Sequence, residues 1–284
     1  MKILVIGGTQ FIGRYLSIEL IKSGHNIVLF HKNKVNRSEE SEFQHIIGDR
    51  RRPPEGKLTG KFDLVIDTCA FEPSDLDFLA HLDFEKYLFI STVAVYSPDI
   101  PEGQAEDAHR IDGVELNVEP HGYGILKRYT EDLVFKLFPS PIVIRPSVVL
   151  GPGDNSRRLN RIYEEFVRGN TLHAPVSDDN SLITQFIDVR DLVNLIVEII
   201  SRDMSGSFNL VGKTVKWNDF LSAFTSVVGI ELNAAESISF PLWDTTKSRG
   251  LRTLQSSHEF IRNFDFTELE DSLKDWFYEY QRAL

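Results

Sequence analysis

Short apolar runs recur along the chain, and stretches with helical periodicity lie between several of them. The runs cover residues 1–6, 27–30, 43–47, 62–66, 87–91 and 141–145, and shorter ones lie at 185–189 and 208–211. Because most of the early runs are largely apolar rather than alternating, they predict strands that are buried on both faces. With the intervening helices, they indicate the α/β class and a parallel sheet covered on both sides.

The helical stretches differ in how much of their surface is apolar. They cover residues 11–23, 75–82, 157–168, 188–200, 217–228 and 267–282. In the first, Ile12, Leu16 and Leu20 share one face, and Ser74 is the expected N-cap of the second. The stretch at 188–200 is apolar nearly all round, which predicts a buried helix.

A glycine-bearing turn joins the first strand to the first helix. It reads Gly7-Gly8-Thr9-Gln10-Phe11-Ile12-Gly13. Glycines at such a turn let backbone N–H groups approach a pyrophosphate, and the helix N-terminus adds positive potential. The spacing lacks the middle glycine of the GxGxxG pattern, since Gln10 stands there. A dinucleotide site is one interpretation, and a tight turn of any α/β protein is the other.

Ligands of parallel sheets bind beyond the carboxyl ends of the strands. At the end of the second strand, an acidic residue would accept hydrogen bonds from the ribose hydroxyls of NAD. This chain has His31 and Lys32 there, with Lys34 and Arg37 close by. The positive charge favours the 2′-phosphate of NADP, although a solvated basic loop would have the same composition.

Tyr123 and Lys127 lie one helical turn apart in a stretch that follows the fifth strand, which ends near Thr92. A tyrosine has an ordinary pKa near 10, and a neighbouring cation stabilises its phenolate. Such a tyrosine can exchange a proton with a substrate hydroxyl or carbonyl, which Thr92 would hold by a hydrogen bond. A YxxxK spacing alone also arises by chance on amphipathic surfaces.

Composition narrows the classes of function. The formal net charge of −11 argues against a dominant nucleic-acid role, because that role needs dense Lys and Arg side chains. The single cysteine, Cys69, excludes an internal disulfide, and no metal site is expected. No apolar stretch reaches the ~20 residues that span a bilayer, and the N-terminal run is too short for a signal peptide. We therefore expect a cytoplasmic protein that acts on a small molecule, with no membrane partner.

These motifs together resemble the extended short-chain dehydrogenases/reductases, in particular the NAD(P)-dependent epimerase/dehydratase group. The matching segments are 7–13, 91–96, Tyr123 with Lys127, 145–146, 151–154, 186–192 and 206–210. The resemblance implies a doubly wound parallel Rossmann sheet with a smaller C-terminal substrate lobe. Residues 1–149 and about 183–204 would form the dinucleotide-binding domain, and about 150–182 and 205–284 the substrate lobe.

The resemblance also implies a role for each matching residue. Tyr123 would be the general acid/base, Lys127 its ribose-binding partner that lowers its pKa, and Thr92 the proton-bridging hydroxyl. The implied cofactor contacts are Gly7, Thr9, Gln10, Phe11, Ile12, Gly13, His31, Lys32, Asp49, Arg50, Asp67, Thr68, Lys127, Pro146 and Val148. The cofactor would be NADP in preference to NAD.

The implied activity is hydride transfer at a carbonyl or carbinol carbon of a small or sugar-like substrate. Reduction and epimerisation share that first step, and a nucleotide-sugar epimerase that retains its cofactor is the alternative. Val93 follows Thr92 where dehydratases of the family carry an acid, which disfavours dehydration. A non-catalytic NADP-binding sensor or an RNA-associated protein is the alternative from another class. The resemblance further implies a homodimer.

The helix at 157–168 opens with two arginines, Arg157 and Arg158. We interpret both as solvated surface residues in preference to contacts for an anionic substrate.

Overall fold

Seven strands form one sheet in which every neighbouring pair is parallel. The computed structural model describes residues 1–32, 43–52, 58–97, 100–111, 122–168, 183–230 and 253–283. The strand order is β3-β2-β1-β4-β5-β6-β9, with the reversal of direction at β1. This order confirms the predicted doubly wound fold, in which ligands bind at the reversal. The strands of this sheet are β1 (Lys2–Ile6), β2 (Asn26–His31), β3 (Gln44–Ile47), β4 (Lys61–Asp67), β5 (Asp83–Ile90), β6 (Ile142–Pro146) and β9 (Gly206–Leu210).

Helices cover both faces of the sheet. One face packs against α1 and α4 through residues such as Leu16 and Leu192, and the other against a 3-10 helix and α2 through Leu76 and Val134. The described helices are α1 (Phe11–Lys22), α2 (Gly122–Leu137), α3 (Arg158–Val167), α4 (Val189–Ser201), α5 (Trp217–Val228), α6 (Glu259–Arg262) and α7 (Leu269–Ala283). The predicted burial of 188–200 is confirmed, because most of α4 is buried. Within the described ranges, no helix has the length and apolarity needed to cross a bilayer.

A second, three-stranded sheet lies beside the first, in the order β10-β8-β7. Its strands are β7 (Val148–Leu150), β8 (Ile183–Asp188) and β10 (Thr214–Lys216). A separate apolar cluster built from α3, α5 and α7 packs with it and includes Leu159, Phe220 and Trp276.

The division between the two parts differs from the predicted one. β9 lies within the predicted lobe at 205–284, yet it pairs with β6 in the main sheet, with Ile144 opposite Phe208. β8 lies within the predicted dinucleotide domain, yet it belongs to the small sheet. An apolar run predicts a strand but not its partner, so the sheets that β8 and β9 join differ from the predicted division at 183 and 205. Residues 169–182 and 231–252 of the predicted lobe lie outside the described residues.

The predicted helix at 75–82 is a 3-10 helix over Pro73–His81. Its N-cap is Glu72 rather than the predicted Ser74, and the Glu72 and Asp75 side chains cap each other's backbone N–H groups. The proline at the first helical position sets this start, because its ring needs no hydrogen-bond acceptor there.

A buried ion pair attaches α2 to the main sheet. The Glu131 carboxylate of α2 is fully buried and accepts two hydrogen bonds from Arg145 of β6, at 3.0 and 2.7 Å. Arg110 donates to the same carboxylate at 3.2 Å. Arg145 also donates to the Tyr96 hydroxyl at 2.7 Å. Because both charges are paired and hydrogen-bonded in this arrangement, the ion pair fixes the position of α2 on the sheet.

Candidate active site

A cleft of ≈ 580 Å³ opens at the carboxyl ends of β1, β2 and β4. This is the reversal point of the strand order, where a doubly wound sheet binds its ligand. The predicted cofactor residues that line it are Gly7, Thr9, Gln10, Phe11, Ile12, Gly13, His31, Lys32, Arg50 and Thr68. We refer to this cavity as the glycine cleft.

Two glycines make the close packing of this turn feasible. A Cβ atom at Gly13 would lie 2.4 Å from the carbonyl oxygen of Gly7, and one at Gly7 would lie 2.6 Å from Oγ1 of Thr68. Gly7 also has a positive φ of 86°. A larger residue would displace the Gly7 carbonyl at position 13 and the Thr68 side chain at position 7, where the positive φ also favours glycine.

The turn fits the pyrophosphate of a dinucleotide. α1 begins at the edge of the glycine cleft, and no side chain of a described residue caps its first turn. The uncapped N–H groups and the positive end of the helix favour an anion. Gln10, which replaces the usual middle glycine, accepts a hydrogen bond from Nδ2 of Asn155 at 2.8 Å. Its side chain therefore bridges to the segment that precedes α3.

The end of β2 carries polar groups that are already paired. Nε2 of His31 is 2.8 Å from Nδ1 of His45, and Nζ of Lys32 is 3.2 Å from the Asp49 carboxylate. The backbone N–H of Arg51 and the Lys32 charge lower the pKa of Asp49. Asp49 is the partner of Lys32 and does not itself line the described cleft, and its cofactor contact stays a prediction. The predicted basic residues Lys34 and Arg37 lie outside the described residues.

The Asp67 side chain is turned away from the glycine cleft, and its cofactor contact stays a prediction. Its side chain is fully buried and forms an ion pair with Arg50. It also accepts from the backbone N–H groups of Cys69 and Ala70, at 3.1 and 2.8 Å, and from the Tyr87 hydroxyl at 3.1 Å. Desolvating two charges is offset only by this complete set of partners. Asp67 thus shapes the turn that presents Thr68 and holds Arg50 in the cleft wall.

Thr92 and Tyr123 lie near each other, and the Thr92 hydroxyl is close enough to the phenol to lower its pKa. Thr92 also accepts a hydrogen bond from the Ala94 N–H at 3.2 Å. α2 approaches this turn closely because residue 124 is glycine, where a Cβ would lie 2.2 Å from the Ala94 carbonyl oxygen. The Tyr123 ring is 5.5 Å from that of Phe71, a residue of the cleft wall. The hydroxyl pair is therefore next to the glycine cleft.

Lys127 takes a different position from the one expected of a partner for Tyr123. It is buried, and its Nζ donates to the carbonyl oxygens of Ala70 and Ile90, at 2.7 and 2.8 Å. Burial lowers the pKa of Lys127 to about 8. These two bonds use two of its three N–H groups and tie together the ends of β4 and β5.

The cation whose charge acts on the Tyr123 phenol is Arg158. Desolvation by its neighbours raises the pKa of Tyr123 even though 46% of the residue is exposed, and the Thr92 hydroxyl and the Arg158 charge offset only part of the rise. The phenol is therefore protonated at neutral pH. The expected lowering of this pKa by Lys127 is not found here.

Pro146 and Val148 do not line the described glycine cleft. Pro146 is buried at the end of β6, and Val148 packs against the apolar cluster of the small sheet. Their cofactor contacts stay a prediction. In the parts of the chain that are described, no group of His, Cys, Asp or Glu side chains is arranged to hold a metal ion.

Sequence reasoning missed residues whose roles depend on neighbours. Phe71 and Asn155 line the cleft from segments that carry no motif. Gly124 could have been found from the sequence. A glycine inside a helix lowers stability by ~1 kcal/mol relative to alanine, so its presence there indicates a close packing contact.

Residues 69–210, half of the chain, match the model of the NAD dependent epimerase/dehydratase family. A curated relative, the chloroplast stem-loop binding protein of 41 kDa b of Arabidopsis thaliana, is 26% identical over 233 residues. The alignment covers 75% of this chain but 59% of the relative, so the chain spans less than two thirds of that protein.

Solved structures of low sequence identity share the whole fold. UDP-glucuronic acid 4-epimerase from Bacillus cereus, in complex with NAD, has a TM-score of 0.76 and 20% identity, with 100% of this chain and 97% of that chain covered. The Bordetella bronchiseptica enzyme WbmH, in complex with NAD⁺, has a TM-score of 0.75 and 16% identity, with 99% and 98% covered. UDP-N-acetylglucosamine 4-epimerase from Methanobrevibacter ruminantium has a TM-score of 0.76 and 15% identity, with 100% and 99% covered. At these identities the likeness concerns the fold.

Replacing Gly13 tests the cofactor fit. In Gly13→Ala the new Cβ must displace the Gly7 carbonyl, which we expect to lower the free energy of unfolding by about 1–3 kcal/mol. We also expect it to weaken NADH binding at least tenfold, roughly 1.4 kcal/mol. Fluorescence titration with NADH and urea unfolding measure the two effects. Gly122→Ala is the matched control, because its Cβ would be 3.9 Å from the nearest atom. Equal NADH affinity in the two variants would contradict the fit.

Proposed function

Because the chain belongs to the NAD dependent epimerase/dehydratase family, we propose that it is an NAD(P)-dependent oxidoreductase. It transfers a hydride at a carbonyl or carbinol carbon of a sugar-like substrate, with Tyr123 as the general acid/base. The observation that carries this proposal is the proximity of the Thr92 and Tyr123 hydroxyls beside a glycine-lined cleft.

The residues of the glycine cleft are suited to the parts of a dinucleotide. Backbone N–H groups near Gly7 and Gly13 would bind the pyrophosphate at the start of α1. His31 and Lys32 would lie at the adenosine ribose, and Thr68 on the opposite wall. When bound, the nicotinamide supplies the hydride acceptor or donor.

Tyr123 has the protonation state that carbonyl reduction needs. Since its pKa is raised, the phenol holds its proton at neutral pH and gives it to the carbonyl oxygen as that oxygen gains negative charge. In the opposite direction the phenolate takes the proton from a carbinol. Thr92 holds the same oxygen by a hydrogen bond. Lys127 fixes the strand ends below and offers its third N–H to a ribose hydroxyl.

A nucleotide-sugar epimerase that retains its cofactor is the second candidate. It is favoured by the solved structures of similar fold, several of which are named as epimerases of UDP-sugars and contain NAD. Reduction and epimerisation begin with the same proton and hydride transfers. The two differ in cofactor exchange, since an epimerase regenerates its cofactor within one turnover. A cofactor that copurifies and survives dialysis would favour the epimerase.

RNA binding is the rival from another class, on account of the name of the Arabidopsis relative. The formal net charge of −11 opposes it. Cations on the surface are also paired, as in Lys32–Asp49, Arg51–Glu72 and Lys86–Asp203. We expect no salt-dependent shift of a stem-loop RNA, and such a shift without any turnover would reverse the ranking.

Removal of the Tyr123 hydroxyl tests the acid/base role. We expect Tyr123→Phe to lower kcat by about 10²–10⁴ while NADPH affinity stays unchanged, because only the proton-transfer group is lost. Steady-state turnover on a panel of sugar carbonyls, with a parallel NADPH titration, measures both. Tyr129→Phe on the same helix is the control, since the Tyr129 ring contacts Arg128 instead. An unchanged kcat in Tyr123→Phe would refute the role.

Cofactor choice depends on the charge at the end of β2. We expect NADPH to bind more tightly than NADH, and Lys32→Gln to weaken NADPH alone by about fivefold, as for an exposed charge pair. Lys61→Gln is the control, because Lys61 is an exposed lysine that pairs with Glu85. Tighter binding of NADH to the unaltered protein would overturn the preference for NADP.

A further inference from the structure

A hydrogen bond joins two walls of the glycine cleft. Nδ2 of Asn155 donates to Oε1 of Gln10 at 2.8 Å, and the two residues are 145 positions apart in the chain. Gln10 lies in the turn between β1 and α1, and Asn155 lies between β7 and α3. Both residues line the cleft and both are exposed, so the bond lies at the mouth of the cleft rather than at its floor.

A hydrogen-bonded turn holds Asn155 in position. The Asp154 carboxylate accepts from the backbone N–H and from the hydroxyl of Ser156, at 2.9 and 2.8 Å. The backbone N–H of Arg157 donates to the Asp154 carbonyl at 3.2 Å. An aspartate that bonds the backbone two residues on is a stable turn of its own. Residues 154–157 therefore have one defined conformation, which presents Asn155 to the cleft.

Strained backbone flanks this hydrogen bond on both sides. Among the described residues, three that are not glycine have a positive φ, and two of them are Phe11, at 37°, and Arg157, at 53°. Phe11 directly follows Gln10, and Arg157 is two residues after Asn155. Residues with a Cβ rarely adopt this conformation, and where they do they cluster at ligand clamps and switch regions. The strain thus lies in the two segments that the bond connects.

One of the two walls can move and the other is fixed. Gly153 directly precedes the turn at 154–157 and has a φ of 80°, and a Cβ there would have no heavy atom of a described residue within 4 Å. Hinges are a few residues of this kind, which absorb a change in φ and ψ. On the opposite wall, the contact of Gly13 with the Gly7 carbonyl holds the start of α1 in place. The bond therefore opens by movement of the Asn155 side.

We infer that Gln10 and Asn155 form a gate across the glycine cleft, which must open whenever the cofactor enters or leaves. The inference rests on the proposed function for the binding of a dinucleotide, and it adds the control of cofactor exchange. One hydrogen bond between uncharged side chains is a modest barrier, which suits a gate that opens repeatedly. A glycine at position 10 would have no side chain to close it, so the gate depends on the residue at which this turn departs from the GxGxxG pattern.

The test is the kinetics of cofactor binding by the full chain, which needs no turnover. NADPH association and release are followed by stopped-flow fluorescence, with an excess of NADP added to start release. Asn155→Ala removes the gate and retains Gln10, and we expect it to raise both rate constants by about three- to tenfold, as for one neutral hydrogen bond. The Kd of NADPH should stay within about twofold, because a gate that closes equally before and after binding changes the rates and not the equilibrium.

Asn26→Ala is the matched control, because Asn26 is an exposed asparagine at the start of β2, at the opposite end of the strands from the cleft. Gln10→Asn combined with Asn155→Gln exchanges the two amides and should restore slow exchange. Unchanged rates in Asn155→Ala would overturn the inference and leave the proposed function standing. Faster release alone, with a weaker Kd, would also overturn it, since that is the behaviour of a direct cofactor contact. An unaltered protein that binds neither NADPH nor NADH would refute the proposed function and the gate together.

Discussion

The contact between Gly13 and the Gly7 carbonyl is the constraint on which the site depends. No side chain fits between the first turn of α1 and the end of β1, where a Cβ would be 2.4 Å from the oxygen. This contact sets the start of α1 at the sheet edge and thereby forms the glycine cleft. The same arrangement recurs at Gly124, which lets α2 rest against the Ala94 carbonyl and brings Tyr123 to Thr92. Two backbone-to-backbone contacts therefore position the cofactor loop and the acid/base helix.

The buried carboxylates Asp67 and Glu131 are each paired with an arginine. Such paired side chains stabilise the fold and are not available for the reaction. Asp67 is matched by Arg50, and Glu131 by Arg145. Removing one partner of such a pair leaves an uncompensated charge and costs about 3–5 kcal/mol. Lys127 is held by two carbonyl oxygens, which explains why it stabilises strand ends in addition to any contact with a ribose.

The sequence predicted the elements of the main sheet, because apolar runs and helical spacing report local geometry. It did not predict which way a side chain turns at a strand end. Asp67 faces the core rather than the cleft, since Arg50, distant by 17 residues, supplies its counter-charge. The pairing of β9 with β6 was also missed, because partners in a sheet are set by packing of the whole chain. Arg157 and Arg158 are adjacent and identical in type, and only the location of Glu164 distinguishes them.

The proton transfer at Tyr123 is the step that the proposed reactions of this family have in common. The family match and the shared fold are compatible with several outcomes after the first hydride transfer.

The most direct test is to incubate the protein with NADPH deuterated at the transferable position and a panel of sugar aldehydes and ketones, and to follow the label by mass spectrometry. The account predicts deuterium on the carbinol carbon of a product with the unaltered protein, and its loss with Tyr123→Phe. Absence of label with the unaltered protein, or equal labelling by both proteins, would contradict the account.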